Sequence, residues 1–130
     1  TAGNVGIGTT NPGALMDIAG NLRIATGGFL ISQQATAPTI ANNDSGTTSQ
    51  GTVAAKSSDL LGTVTAGTLE VTSCAMTFNK THAVAPICFC QDDTNILTVR
   101  CTTSTTKLTI TSATSMSGDL VAYWCPTNLP

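Results

Sequence analysis

Apolar and polar positions alternate with a period of two through most of the C-terminal half of the chain. Such alternation is typical of β-strands that bury one face. It predicts six strands, at about residues 59–65, 69–78, 85–91, 96–102, 107–112 and 119–125. Short strands at this spacing, with turn-forming residues between them, are typical of a small sandwich or barrel. We therefore predict that residues 59–130 form a compact antiparallel β-sandwich with jelly-roll-like connections.

The first 31 residues follow a different pattern, in which very short apolar stretches are interrupted by glycine. Val5 and Ile7 alternate with glycines, and the pair Pro12-Gly13 is a turn signal. Each stretch offers two or three apolar side chains, and two-stranded pieces of this size are not stable alone. The pattern predicts a β-structured segment that buries its apolar face against copies of itself.

Residues 32–58 are polar and low in sequence complexity, with Pro38, Gly46 and Gly51 as breakers of regular structure. In isolation such a segment reads as a linker. Inside an assembly it is better interpreted as an extended neck, with short strands near residues 38–41 and 51–55. The chain is thus predicted to have three parts: a stalk at 1–31, a neck at 32–58 and a tip at 59–130.

Composition strengthens the β prediction and excludes several kinds of partner. The chain has 25 Thr and 10 Ser among its 130 residues, and only 9% of its residues are charged. Thr favours strands, and a surface so poor in charge suits a subunit better than a monomer. With five Lys and Arg residues and a net charge of −2, we expect no nucleic-acid binding. No apolar run approaches the roughly 20 residues of a membrane span, so we expect no membrane-embedded segment.

The run NVGIGTTNPGALMDIAGNLRI, residues 4–24, resembles the recurring "VGIGTT-P…LDV-G-LRI" unit of trimeric fibres. That unit occurs in tail fibres of bacteriophages and in mosaic trimeric adhesins of predatory bacteria. The resemblance covers about 21 of 130 residues and implies a parallel homotrimer that runs from stalk to tip. Since the chain begins inside this motif, we interpret it as a fragment of a longer extracellular fibre protein, expected on a bacterial cell surface, with a virion tail fibre as the alternative.

Five cysteines lie in the C-terminal half, with spacings that do not suggest a zinc site. They are Cys74, Cys88, Cys90, Cys101 and Cys125. Cys88 and Cys90 lie too far apart along one strand face for an easy mutual disulfide. Two interpretations remain open: buried thiols in a reducing compartment, or cross-strand disulfides among these five in an oxidising one.

The sequence offers no basis for catalysis or for a bound cofactor, so we predict a protein that is not an enzyme. His82 is the only histidine and is expected in a loop or an interface. Asp92 and Asp93 could form half of a Ca²⁺ site, but no second acidic cluster is visible, and a turn is the better interpretation; we predict no metal. Trp124 is expected in the core or at the trimer axis, with a sugar-stacking platform as the alternative.

If each connection in the tip reverses direction, alternate loops lie at the same end of the sandwich. The loops at 66–67, 92–95 and 113–118 then share one end, which we predict to be distal from the stalk. The predicted contact residues on these loops are Asp92, Asp93, Thr94, Asn95, Ser115, Met116 and Ser117. The predicted function is adhesion to a surface glycan or envelope polymer of a target cell, and the alternative is a purely structural cap that holds the trimer together.

Overall fold

The chain is all-β in the computed structural model, which describes residues 3–24, 28, 32, 34–40, 51–68 and 72–126. These residues contain ten strands and no helix. The chain divides into two compact units, Thr1–Ile31 and Ser32–Pro130. Each unit is described below on its own.

The first unit is a two-stranded parallel ladder, in which β1 (Val5–Ile7) pairs with β2 (Met16–Ile18). Beyond the ladder, the amide of Val5 donates to the carbonyl of Leu15, and that of Ala19 donates to the carbonyl of Ile7. Parallel strands in globular domains are usually joined by a dozen or more residues. Here the connection is residues 8–15 alone, so the strands are joined by a tight coil of chain.

Glycine is required at two positions of this coil. A Cβ on Gly6 would collide with the carbonyl oxygen of Thr9, and Gly8 has a φ of 76°, which disfavours any side chain. The turn between the strands is fixed by Asp17, whose Oδ2 accepts the amide of Gly13 at 2.9 Å. The residues that define the motif at 4–24 therefore have local structural roles.

The second unit contains two four-stranded antiparallel sheets. The first sheet has the order β4-β5-β10-β7, and the second has the order β3-β6-β9-β8. The strands, in chain order, are β3 (Thr39–Ile40), β4 (Thr52–Val53), β5 (Leu61–Thr65), β6 (Ser73–Thr77), β7 (Phe89–Asp92), β8 (Val99–Thr103), β9 (Lys107–Ser112) and β10 (Leu120–Trp124).

The chain changes sheet at every step from β5 to β8, and only then forms the hairpin β8–β9. The last two strands fill the gaps that remain: β9 lies between β6 and β8, and β10 lies between β5 and β7. The pairings β6–β9, β5–β10 and β7–β10 span long stretches of sequence, so the second sheet is completed only by β9 and the first only by β10.

One core lies between the two sheets, and both contribute to it. Val64 and Val121 come from the first sheet, and Met76, Leu108 and Ile110 from the second; all five are almost completely buried. They occupy alternate positions along their strands, which is the pattern that a sheet with one buried face requires. The second unit is therefore a sandwich-like all-β fold.

All six strands predicted for the C-terminal half are present, as β5 to β10; β9 has the predicted bounds, and the other five are shorter than their predicted ranges. The sequence also predicted short strands near 38–41 and 51–55, and β3 and β4 lie there. These two strands pair with β6 and β5, so both belong to the sheets of the sandwich. Residues 41–50, in the middle of the predicted neck, lie outside the described residues.

Two disulfides join the strands of the sandwich. Cys90 on β7 is bonded to Cys101 on β8, which links the edges of the two sheets. Cys88 and Cys125, which lie just outside the paired ends of β7 and β10, form the second bond. Cys74 lies buried in the core outside both bonds. Of the two interpretations of the cysteines, the structure thus has the cross-strand disulfides.

Tyr123 is buried on β10, and its hydroxyl donates to the carbonyl of Ser58 at 2.6 Å. Burial raises the pKa of its phenol to about 12; the nearby Asp59 adds to the rise, and Ser57 opposes it.

Because Tyr123 is the only tyrosine, its ionisation can be followed directly by ultraviolet absorbance. We expect one transition near pH 12 in the folded chain and one near the ordinary pKa of 10.0 in denaturant. Between these values only the unfolded state ionises, so the stability contributed by the neutral phenol should be lost as the pH rises. A folded-state transition near pH 10 would contradict a buried phenol.

Candidate functional site

Three loops meet at one end of the sandwich, as strand alternation predicts. The amide of Gly118 donates to the carbonyl of Gly67, joining the loops at 66–67 and 113–118. The amide of Leu120 donates to the hydroxyl of Thr94, and the side-chain amide of Asn95 donates to Asp119 at 2.5 Å. We call this group of loops the loop cluster.

The loops at 79–83 and 103–106 meet in the same way at the other end. The amide of His82 donates to the carbonyl of Thr105, and that of Phe78 donates to the carbonyl of Thr106. His82 also packs edge-on against Phe78, with 4.7 Å between ring centroids. His82 therefore has a structural position in a loop.

The loop cluster contains all seven predicted contact residues, but two of them are not exposed. Met116 is 0% exposed and belongs to the core, and Asp92 is only 3% exposed. This corrects the prediction for both, because a buried side chain presents little surface to a large ligand. The other five are exposed: Asp93, Thr94, Asn95, Ser115 and Ser117.

Asp92 shapes its own loop. Its Oδ1 accepts the backbone amides of Thr94 and Asn95 at 2.8 and 2.9 Å, which is the arrangement that makes Asp a turn residue. Asp119 lies against it in the cluster. Burial raises the pKa of Asp119, the Asp92 carboxylate raises it further, and the hydrogen bond from Asn95 lowers it.

A cleft of about 450 Å³ runs along the free edge of β7, beside the loop cluster. Gln91, Asp92 and Asp93 form one side of it, and residues 96–99 form the other. Ile96 is 92% exposed and has a φ of 56°, a conformation that is unusual for a β-branched residue. Backbone strain of this kind is concentrated at ligand-binding sites.

The outer face of the first sheet carries two exposed, stacked aromatic side chains. Phe89 is 59% and Trp124 is 54% exposed, and their rings lie 5.8 Å apart at an angle of 28°. They are direct cross-strand partners on β7 and β10. Of the two expected positions for Trp124, the core is wrong, because Tyr123 takes the inward position and Trp124 faces outward; packing at a trimer axis stays a prediction. We call Phe89, Trp124 and the adjacent Gln91 the aromatic platform.

The aromatic platform and the β7-edge cleft adjoin each other. A second, shallower cleft of about 270 Å³ lies over the platform, with Gln91 and Ala122 as neighbours of the two rings. Cys90 and Gln91 line both clefts. The platform therefore leads through Gln91 to the acidic side chains at the end of β7.

The described residues contain no group of three or more His, Cys, Asp or Glu side chains that could hold a metal ion. They also contain no helix long and apolar enough to cross a membrane. Comparison of the chain with protein-family models, curated proteins and solved structures finds no match to any of them.

Proposed function

We propose that this chain is the C-terminal part of a homotrimeric extracellular fibre, with a jelly-roll-like sandwich at the tip that binds a surface glycan or envelope polymer of a target cell. The observation that carries the proposal is the aromatic platform. Two exposed rings beside an amide side chain are the combination of apolar faces and directed polar groups that sugar sites use. No catalytic role and no cofactor are part of the proposal.

The neighbouring surface supports an extended ligand. Gln91 supplies an amide donor and acceptor next to the rings, and Asp93 supplies an exposed carboxylate at the end of the same strand. Sugar hydroxyls both donate and accept hydrogen bonds, so these groups match them. We therefore place the contact surface on the aromatic platform and on the five exposed residues of the loop cluster.

A homotrimer is supported by the first unit, whose described residues leave nearly all of their large apolar side chains in solvent. Six of them are between 43% and 77% exposed: Val5, Ile7, Leu15, Met16, Leu22 and Ile24. A parallel ladder this small cannot cover them itself. Association of three copies along a stalk, as the resemblance at residues 4–24 implies, would bury them.

An extracellular location is supported by the two disulfides, since such bonds persist in oxidising surroundings. A bacterial surface fibre and a virion tail fibre fit this equally well. Within the family resemblance we therefore propose a fibre of one of these two kinds, and the bacterial adhesin remains our first choice.

The competing function is a structural cap that ends the stalk and binds nothing. A cap needs only a smooth, well-packed surface. The clefts of about 450 and 270 Å³ and the exposed stacked rings favour a binding module, because a cap has no use for exposed aromatic area.

Replacement of Trp124 with alanine tests the proposal. Glycans that bind the chain on an array should bind Trp124→Ala on the order of 10-fold more weakly in calorimetry, because the stacking surface is lost. The matched control is Thr52→Ala, an exposed position on β4 at the opposite edge of the same sheet, which should bind like the unmodified chain.

Two outcomes would contradict this assignment of the site. If no glycan on a broad array binds the chain, the structural cap becomes the better interpretation. If Trp124→Ala instead lowers the mass of the assembly in solution, the stacked rings form a contact between subunits and not a sugar platform.

A further inference from the structure

Two carboxyl groups lie buried next to each other in the loop cluster. Asp92 is 3% and Asp119 is 2% exposed. The side chain of Asn95 and the backbone amides of Thr94 and Asn95 are the donors that contact them. Two buried carboxylates cannot both keep their charge without compensation.

One oxygen of each carboxylate is already used. Oδ1 of Asp92 accepts two backbone amides, and Oδ1 of Asp119 accepts the side-chain amide of Asn95. The other oxygen, Oδ2, is buried in both residues and receives no hydrogen bond from a donor among the described residues, and the two carboxyl groups lie within hydrogen-bonding reach of each other. Unsatisfied buried acceptors are rare in native proteins, and a bound ion or water molecule is one of their recognised explanations.

We infer that Asp92 and Asp119 form the protein side of a Ca²⁺ site that joins the loop at 92–95 to the loop at 113–119. The unused oxygens are the hard, anionic ligands that Ca²⁺ prefers. From the sequence, Asp92 and Asp93 offered only half a site. The fold instead brings Asp119 against Asp92, so these two are the carboxylate ligands and water supplies the remaining oxygens; the inference does not depend on whether the sandwich binds a glycan.

The chemistry of the donors favours Ca²⁺ over the other common ions. All the available groups are oxygens, which excludes the sulfur and nitrogen ligands typical of Zn²⁺ sites. Mg²⁺ demands a near-ideal octahedron, whereas Ca²⁺ accepts irregular sets of carboxylates and water. Asp92 also lines the cleft along β7, so water molecules can complete the coordination from that side.

Calorimetry and thermal unfolding of the full chain, first stripped with EDTA, test the inference. We expect one Ca²⁺ bound per chain, with a Kd on the order of 10⁻⁴ M, which is usual for extracellular modules. At about 10 mM CaCl₂ the Tm should then rise by about 10 °C. MgCl₂ at the same concentration should give a much smaller rise.

The matched pair of variants is Asp119→Asn and Asp93→Asn. Both remove one negative charge from the loop cluster, but the Asp93 carboxylate is exposed and accepts from Gln91 instead. Asp93→Asn should keep the Ca²⁺ response, and Asp119→Asn should lose it.

If calorimetry shows no Ca²⁺ binding by the unmodified chain, the inference is overturned, whether or not Asp119→Asn folds. A proton shared by the two carboxyl groups would then explain better how they can both be buried. An unchanged Ca²⁺ response in folded Asp119→Asn also overturns it.

Discussion

Replacing both Cys88 and Cys125 with serine should lower the free energy of unfolding by about 4 kcal/mol. The bond joins residues 37 apart in sequence, and closing a loop of that length removes much conformational freedom from the unfolded chain. It also fixes the last strand, β10, which occupies the centre of its sheet. Because small domains are stable by only about 5–15 kcal/mol, a loss of this size should be plain in urea unfolding.

The second disulfide provides an internal comparison. Cys90 and Cys101 are only 11 residues apart, so replacing both with serine should cost less, about 3 kcal/mol. A variant lacking both bonds should no longer respond to reductant. If instead the intact mass of the oxidised chain does not change on reduction, the bonds do not form in solution and the expected destabilisation has no basis.

The fold of the second unit was largely predictable because its strands obey a period of two. Val64, Met76, Leu108, Ile110 and Val121 all occupy alternating positions, and all are in the core. The alternation does not reveal which strands pair. The insertion of β9 and β10 between earlier strands depends on contacts between distant segments, which no local pattern records.

The site was harder to predict for the same reason. The position of the loop cluster followed from counting reversals of the chain, but Asp119 reaches Asp92 only through the tertiary fold. Trp124 was expected in the core or at the trimer axis. Since Tyr123 and Trp124 are neighbours on one strand, only one of them can face the core, and the hydroxyl of Tyr123 finds a buried acceptor in Ser58. The indole remains outside, across from Phe89.

In the homotrimer that we propose, Leu15→Asp should convert the assembly from three chains to one. In a single chain Leu15 is 77% exposed, so an aspartate there should be nearly neutral for the fold. In the proposed trimer it would place three carboxylates in the apolar contact between the subunits. The free-energy cost of removing these charges from water would not be offset by the assembly. Light scattering should show the mass fall from three times the 13.2 kDa chain to one.

The same variant separates affinity from avidity. Loss of the trimer should weaken binding to a glycan-coated surface by about 10²- to 10⁴-fold, while calorimetric affinity for a single soluble glycan stays unchanged. Asn11→Asp is the matched control, because it adds the same charge at an exposed polar position in the same turn and should keep both the mass and the avidity.

A monomeric unmodified chain, or a trimeric Leu15→Asp variant, would mean that the exposed apolar side chains of the first unit do not form the subunit contact. If the Leu15→Asp variant stays trimeric but no longer binds the glycan-coated surface, Leu15 itself contacts the ligand. We do not expect this, because Leu15 is distant in sequence from the aromatic platform.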